Sequence, residues 1–313
     1  MRNVAITGIS GYIGNHLLQR LDEREEVESI IGVDRRLPRF SSPKLKFYTR
    51  SVQEPFGDIL ADNGVDSAIH LAFVVPPAKD RDAHGINIGG TRNFLEACQQ
   101  ASVRNLLYLS SHTVYGPHPD NPIPITEDRP LRPIISFPYS WDKAEADRMF
   151  QDFMESHPDK CVTIVRTCAV IGPTAGVSGF TVLLTPVMIR VMGYDPPWQF
   201  VYEDELVELL LALISQKQRG VFNAGGDGFI HYRDIITAAG KPSIALPSGL
   251  LSMLMTVSWR LHLQSSSPVG GLEFIKHPII LSTEKLKRTT GFQFKWTSSD
   301  ALLSFLSPKV LSS

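Results

Sequence analysis

Tyr139 and Lys143 stand four positions apart in Tyr139-Ser140-Trp141-Asp142-Lys143. On a helix, residues i and i+4 share a face. An ammonium beside a phenol favours the phenolate and lowers a pKa that is otherwise about 10. Such a tyrosine exchanges a proton with an alcohol or ketone oxygen near neutral pH. A tyrosine and a lysine at this spacing are common by accident, so their surroundings decide. Upstream, the apolar run from Asn105 to Leu109 ends in Ser110-Ser111-His112-Thr113. A hydroxyl at Ser111 can donate to the same substrate oxygen. Serine, tyrosine and lysine in this order describe proton movement at a carbinol, which needs a hydride acceptor beside it.

The start of the chain supplies a site for one. Val4, Ala5 and Ile6 read as a buried strand, and Leu17, Leu18 and Leu21 as one face of a helix. Between them runs Thr7-Gly8-Ile9-Ser10-Gly11-Tyr12-Ile13-Gly14. Unpaired N–H groups at a helix N-terminus point at an anion. Glycines at 8, 11 and 14 permit a tight turn, close approach of a pyrophosphate and close helix–strand packing. A second apolar run, Ile30-Ile31-Gly32-Val33, ends in Asp34, twenty positions after Gly14. A carboxylate there accepts hydrogen bonds from the adenosine ribose and repels a 2′-phosphate, which predicts NAD. Arg35 and Arg36 follow at once and leave NADP open.

The elements that position these residues alternate. Leu45 to Tyr48 reads as a third strand, Ala68 to Ala72 as a fourth, Asn105 to Leu109 as a fifth and Val162 to Val165 as a sixth. Helical patterns run from about Asp82 to Ala101 and from Tyr139 to Met154. Alternating strands and helices predict an α/β fold, a doubly wound parallel sheet with ligands beyond the carboxyl ends of its strands. Seven prolines between Pro117 and Pro138 predict a long ordered loop. Beyond Gly172 the alternation becomes irregular, with helices expected at Thr181 to Met192, Glu205 to Ile214 and Leu246 to Leu263, and a flexible Ser265-Ser266-Ser267-Pro268 segment. This predicts a smaller, mostly C-terminal α/β substrate lobe. Residues 1–172, with about 199–224, would hold the dinucleotide, and 173–198 with 225–313 the substrate. The Leu246 to Leu263 segment has a sparse polar face. Burial against a substrate pocket is favoured over contact with a membrane surface.

Composition narrows the class. The chain has 313 residues, is 43% hydrophobic and carries a formal net charge of −1. No basic field attracts nucleic acid. No apolar run reaches the ~20 residues that span a bilayer, and the N-terminus enters a strand directly, so a cytoplasmic protein is expected. Cys98, Cys161 and Cys168 are the only cysteines, and no His, Cys or Asp set has metal-ligand spacing. His70 lies in an apolar strand and reads as a satisfied core residue. His16 reads as exposed. His112 reads as a solvent-facing loop residue, with substrate contact as the alternative.

These residues resemble the short-chain dehydrogenase/reductase superfamily in its extended branch, the NAD-dependent epimerase/dehydratase family. The resemblance is carried by the Thr7–Gly14 turn, Asp34, His70-Leu71-Ala72, Asn87 with Gly90-Thr91, Leu109-Ser110-Ser111, Val114-Tyr115-Gly116, Tyr139 with Lys143, Arg166, and Ile171-Gly172-Pro173. It implies a Rossmann-type fold, Tyr139 as general acid/base, Lys143 on the nicotinamide ribose and Ser111 on the substrate oxygen. It places the pyrophosphate on Gly8, Gly11, Tyr12, Ile13 and Gly14, and the adenosine near Asp34 and Arg35. Ser51, Val52, Leu71, Ala72, Ser110 and Thr167 would line the cofactor, with Ser51 where relatives usually carry an Asp. Asn87 would tie adjacent backbone together. Relatives commonly dimerise through two long helices, here around Asp82–Ala101 and Tyr139–Met154.

The departures concern the substrate. Where sugar dehydratases of the family carry an Asp-Glu pair, this chain has His112 and Thr113. Ala169 replaces an Asn usual in sugar-nucleotide epimerases, and Trp198 an Arg that binds diphosphate. The expected activity is therefore NAD(P)-dependent hydride transfer on a small or apolar alcohol or ketone. The alternatives are a nucleotide-sugar epimerase that retains its NAD, or a dinucleotide-binding regulator without turnover.

Overall fold

The computed structural model describes residues 1–75, 82–175, 183, 185–261 and 269–310. Six parallel strands alternate with helices: β1 (Asn3–Thr7), α1 (Tyr12–Asp22), β2 (Ser29–Asp34), β3 (Leu45–Thr49), α2 (Gly57–Asp62), β4 (Ser67–His70), α3 (Gly90–Gln100), β5 (Asn105–Ser111), α4 (Pro138–Ser156) and β6 (Cys161–Thr167). A seventh strand, Gly220–Ala224, pairs with β6. The order is β3-β2-β1-β4-β5-β6 and then Gly220–Ala224. Nearly every residue of β1, β2, β4, β5 and β6 is buried. Such runs belong to a parallel sheet covered on both faces.

Alternation along each strand sorts the core into two layers. Val4 and Ile6 pack with Leu17, Leu18 and Leu21 of α1 and with Leu206, Leu210 and Leu213 of the helix Glu203–Ser215. Ala5, Ile31, Leu106 and Tyr108 pack on the other face with Phe94 of α3 and Phe150 of α4. Strand order reverses between β1 and β4. That reversal opens a crevice where ligands bind, and the glycine turn and Leu71 both stand at its mouth. The Leu71 amide donates to the Thr7 carbonyl, 3.0 Å away.

Beyond β6 the pairings are short. Ala169–Ile171 pairs with Phe200–Tyr202, Pro197–Trp198 with Ile230–His231, and Met188–Val191 with Ser243–Leu246. The helix expected over Thr181 to Met192 is therefore corrected: Met188–Val191 is a strand, because its β-branched Ile189 and Val191 have a distant partner. Thr181, Val182 and Leu184 lie outside the described residues. The helix expected from Leu246 spans Ser248–Arg260, since Leu246 ends a strand. Leu263 and the Ser265–Pro268 segment also lie outside the described residues. The pattern from Asp82 becomes a π-turn, Gly85–Gly89, leading into α3. No helix among the described residues is long and apolar enough to cross a membrane.

Candidate active site

The turn after β1 is held by backbone. Gly8 has a φ of +76° and a Cβ there would lie 2.5 Å from the Ala72 nitrogen. A Cβ on Gly14 would lie 2.4 Å from the Gly8 carbonyl oxygen. Only glycine fits either place, so the turn stays tight and α1 starts against it. Gly11 is the N-cap and brings no side chain to cap the helix. Gly11, Tyr12, Ile13 and Gly14 line a cavity there, and the first amides of such a helix can hold an anion. The Tyr12 side chain turns away, its hydroxyl donating to the buried Glu203. Glu203 also accepts from the Thr174 amide and hydroxyl, at 3.2 and 2.8 Å, and so ties α1 to the segment after the strand Ala169–Ile171.

Asp34 ends β2 half-buried. It accepts from the Ser10 amide at 3.1 Å and the Arg35 amide at 2.7 Å. It is thereby drawn to the turn. Ser51 follows the end of β3, whose Thr49 pairs with Asp34. Val52 packs against Gly90, where a Cβ would lie 2.6 Å from it. Asp34, Arg35, Ser51, Val52 and Ala72 are not among the lining residues of the cavity that holds the others. Gly8, Leu71, Ser110, Ser111, Tyr139, Lys143 and Thr167 line a single cavity of about 720 Å³.

Within that cavity, Ser111 ends β5 and its hydroxyl accepts from the Thr113 amide at 3.2 Å. Tyr139 starts α4 just after Pro138, a residue suited to a first helical turn. Burial pushes the Tyr139 phenol up to about 12, while a hydrogen bond with Ser111 pulls the other way. The lowered phenol expected from Lys143 is not what the surroundings produce. Lys143 Nζ donates to the Leu109 carbonyl at 2.7 Å and lies 3.8 Å from the Phe73 ring centre. Burial brings that ammonium down to about 7, against the pull of Asp147. Phe73 was not singled out from the sequence; its place directly after His70-Leu71-Ala72 was the available signal.

Two buried networks hold these groups. Asp147 of α4 takes Arg166 of β6 at 2.8 and 3.0 Å, and Ser110 Oγ at 2.6 Å. The Ser110 hydroxyl is thus committed to the core, leaving its backbone for the cavity. Arg166 also reaches Tyr115, whose hydroxyl donates to Asn223 at 2.8 Å. On the other side, Asn87 accepts from the Val74 amide at 2.7 Å and donates to Asp142 at 2.9 Å. That is the backbone-tying role expected of it. His70 accepts from Thr7 and donates to Thr91, whose own proton goes to the Asn87 carbonyl. Burial lowers it to about 3, so it is neutral core.

Two histidines differ from expectation. His16 is mostly buried, bonded to Asp204 at 3.1 Å and Thr174 at 2.7 Å, because α1 packs against the helix Glu203–Ser215. His112 lines the cavity rather than facing solvent. Its Nδ1 donates to the Thr167 carbonyl at 3.2 Å, and burial lowers it to about 4. The Thr167 hydroxyl donates to the Cys168 carbonyl at 3.1 Å. No group of three or more His, Cys, Asp or Glu among the described residues is placed to hold a metal.

The lining also carries Phe137, Trp198, Leu251, Met255, Leu272 and Phe274, with Thr185, Gln199 and His277 as polar members. Lys143 is the only Lys, Arg, Asp or Glu among its described lining residues.

The chain is similar to known proteins in sequence and in fold. The uncharacterized protein Mb0513 of Mycobacterium bovis is 24% identical over 307 residues, covering 95% of this chain and 81% of that protein. The UDP-glucose 4-epimerase of Neisseria meningitidis serogroup A is 30% identical over 189 residues, 55% of this chain and 54% of its own. Among solved structures the fold is similar to MoeE5 in complex with UDP-glucuronic acid and NAD. The TM-score is 0.77 at 20% identity, over 99% of this chain and 100% of that one. The profile of the NAD dependent epimerase/dehydratase family matches residues 4–225, and the chain belongs to that family.

Proposed function

We propose that this protein binds NAD and moves a hydride at a secondary carbinol or carbonyl carbon, with Tyr139 as general acid/base. The observation that carries this reading is one cavity shared by Ser111, Tyr139, Lys143 and the glycine turn. The dinucleotide fits the residues present: a cradle that a Cβ at Gly8 or Gly14 would destroy, and a carboxylate drawn to it. The amides at the start of α1 would take the pyrophosphate, Asp34 the adenosine ribose, and Lys143 the second ribose. Bound NAD supplies the carbon that accepts or returns hydride.

The chain's own residues handle the proton. Tyr139 holds it at neutral pH, since burial raises the phenol to about 12. It is therefore set to donate to a carbonyl oxygen, with Ser111 donating beside it. In the reverse direction Tyr139 Oη receives the hydroxyl proton only as phenolate, which Ser111 and a charged Lys143 stabilise.

The cavity lining also bears on the substrate. With no cation beyond Lys143 among the described lining residues, it suits an apolar alcohol or ketone better than a diphosphate. A second reading, a nucleotide-sugar epimerase, is favoured by what the Neisseria relative and MoeE5 are named for. Residues 1–172 with about 199–224 are assigned to the dinucleotide and the rest to the substrate. A homodimer through α3 and α4 belongs to the same reading and is checked by sedimentation. Purified protein with NADH and a panel of ketones tests the substrate. Steady loss of nicotinamide absorbance supports the dehydrogenase. A UDP-hexose epimerised without net absorbance change supports the second reading. Neither change, with dinucleotide bound, overturns both.

A further inference from the structure

We infer that the outward face of the helix Ser248–Arg260 docks on an anionic lipid surface and sets one wall of the cavity against the bilayer. The helix has two faces with different work. Leu251 is buried and, with Met255, lines the cavity. Leu250, Met253, Leu254 and Val257 are between 41% and 56% exposed, and Leu261 just beyond is 62% exposed. These five recur at three- and four-residue steps, so they form one stripe on the helix. Single exposed leucines need no explanation, but a continuous stripe marks a contact surface. The strand before the helix adds Ile244, 54% exposed.

Charge selects the occupant. No Asp or Glu occurs between Asp234 and Glu273, while Arg260 lies in that stretch with Lys241, whose ammonium donates to the Leu183 and Thr185 carbonyls at 2.8 Å. The paired strand Met188–Val191 adds Arg190, whose Nε donates to Ser243 at 3.1 Å. Within that stretch of sequence the apolar stripe has cations and no acids, in a chain whose overall charge is −1. An apolar helical face with cations and no acids suits the headgroup boundary of an anionic leaflet. The helix would lie on such a surface, since no helix among the described residues is long and apolar enough to cross one. Continuity from stripe to cavity wall gives docking a purpose: an apolar substrate partitioned in lipid reaches the site past Leu251 and Met255. That purpose rests on the apolar-substrate reading above; docking itself rests on the surface.

The test is flotation of the full chain with vesicles of phosphatidylcholine, with and without phosphatidylglycerol. Wild type is expected to float with the anionic vesicles. Met253→Glu with Leu254→Glu should weaken that at least ~10-fold, with an unchanged unfolding temperature. Leu303→Glu, on the exposed face of another helix, should leave it intact. Wild type that stays in solution with both vesicle types overturns the inference. So does a double variant that floats like wild type. A wild-type dimer that the double variant dissolves gives the stripe to a second copy and also overturns it. NADH turnover of a water-soluble ketone without vesicles keeps the two readings apart. Turnover without flotation sinks docking alone; flotation without turnover leaves docking standing and sinks the catalytic reading.

Discussion

Asp34→Asn removes a charge from beside the glycine turn and leaves an acceptor for the Ser10 amide. In the wild type, Asp34 accepts from Ser10 at 3.1 Å, Arg35 at 2.7 Å and Arg36 at 3.4 Å. These donors fix the carboxylate at the end of β2, where the adenosine ribose would lie. Two unit charges 4 Å apart interact by about 4 kcal/mol at an effective dielectric of 20. Asp34 is partly exposed, so solvent screening roughly halves this to about 2 kcal/mol. At about 1.4 kcal/mol per decade, that is ~30-fold discrimination against a 2′-phosphate. The ratio of NADP to NAD dissociation constants should therefore fall ~30-fold in Asp34→Asn. Asp34→Ala also releases the Ser10 amide, and both dinucleotides should weaken by a further ~10-fold. Fluorescence titration with NADH and NADPH reads both numbers. Wild type that prefers NADP, or a ratio unmoved in Asp34→Asn, would refute the assignment and pass the selection to Arg35 and Arg36.

Arg166→Met leaves Asp147 charged and fully buried, and should cost about 3–5 kcal/mol; adding Asp147→Leu should recover much of the thermal stability, and a single variant that melts like wild type contradicts the network. Gly8→Ala puts a Cβ 2.5 Å from the Ala72 nitrogen at a φ of +76°, so dinucleotide affinity should drop at least ~10-fold, read by the same titration. Lys143 falls from 10.5 to about 7 on burial. The unfolded chain then binds the extra proton between those values, so stability rises with pH across that window. Lys143→Met should flatten the rise and stabilise the protein at pH 7 while stopping turnover; urea titrations at pH 7 and 9 check it. With Tyr139 raised to about 12, alcohol oxidation should climb with pH through the neutral range, and ketone reduction should not. An oxidation rate flat from pH 7 to 9 removes Tyr139 as the base.

What was legible in the sequence was local. The turn from Gly8 to Gly14 and the Asp34 that follows are fixed by spacing along one β-α-β unit. Tyr139 and Lys143 share a face because a helix makes them. Their electrostatics were not legible, since burial belongs to the assembled fold. It lifts the phenol and lowers the ammonium, opposite to what an exposed pair would do. The Asp147–Arg166–Tyr115–Asn223 network joins four separate elements, and nothing local marks it. Met188–Val191 read as helix because its partner, Ser243–Leu246, comes much later. The apolar Leu246 to Leu263 run was read as a pocket wall. Leu251 and Met255 bear that out, but the same run presents a second, exposed stripe.

Single-turnover reduction of a ketone by bound NADH in Tyr139→Phe tests most directly whether Tyr139 carries the proton. Hydride transfer should slow by ~10²–10⁴-fold. NADH affinity should stay within ~3-fold of wild type, because the pyrophosphate and ribose contacts lie elsewhere. A Tyr139→Phe protein that turns over at the wild-type rate would contradict the acid/base role.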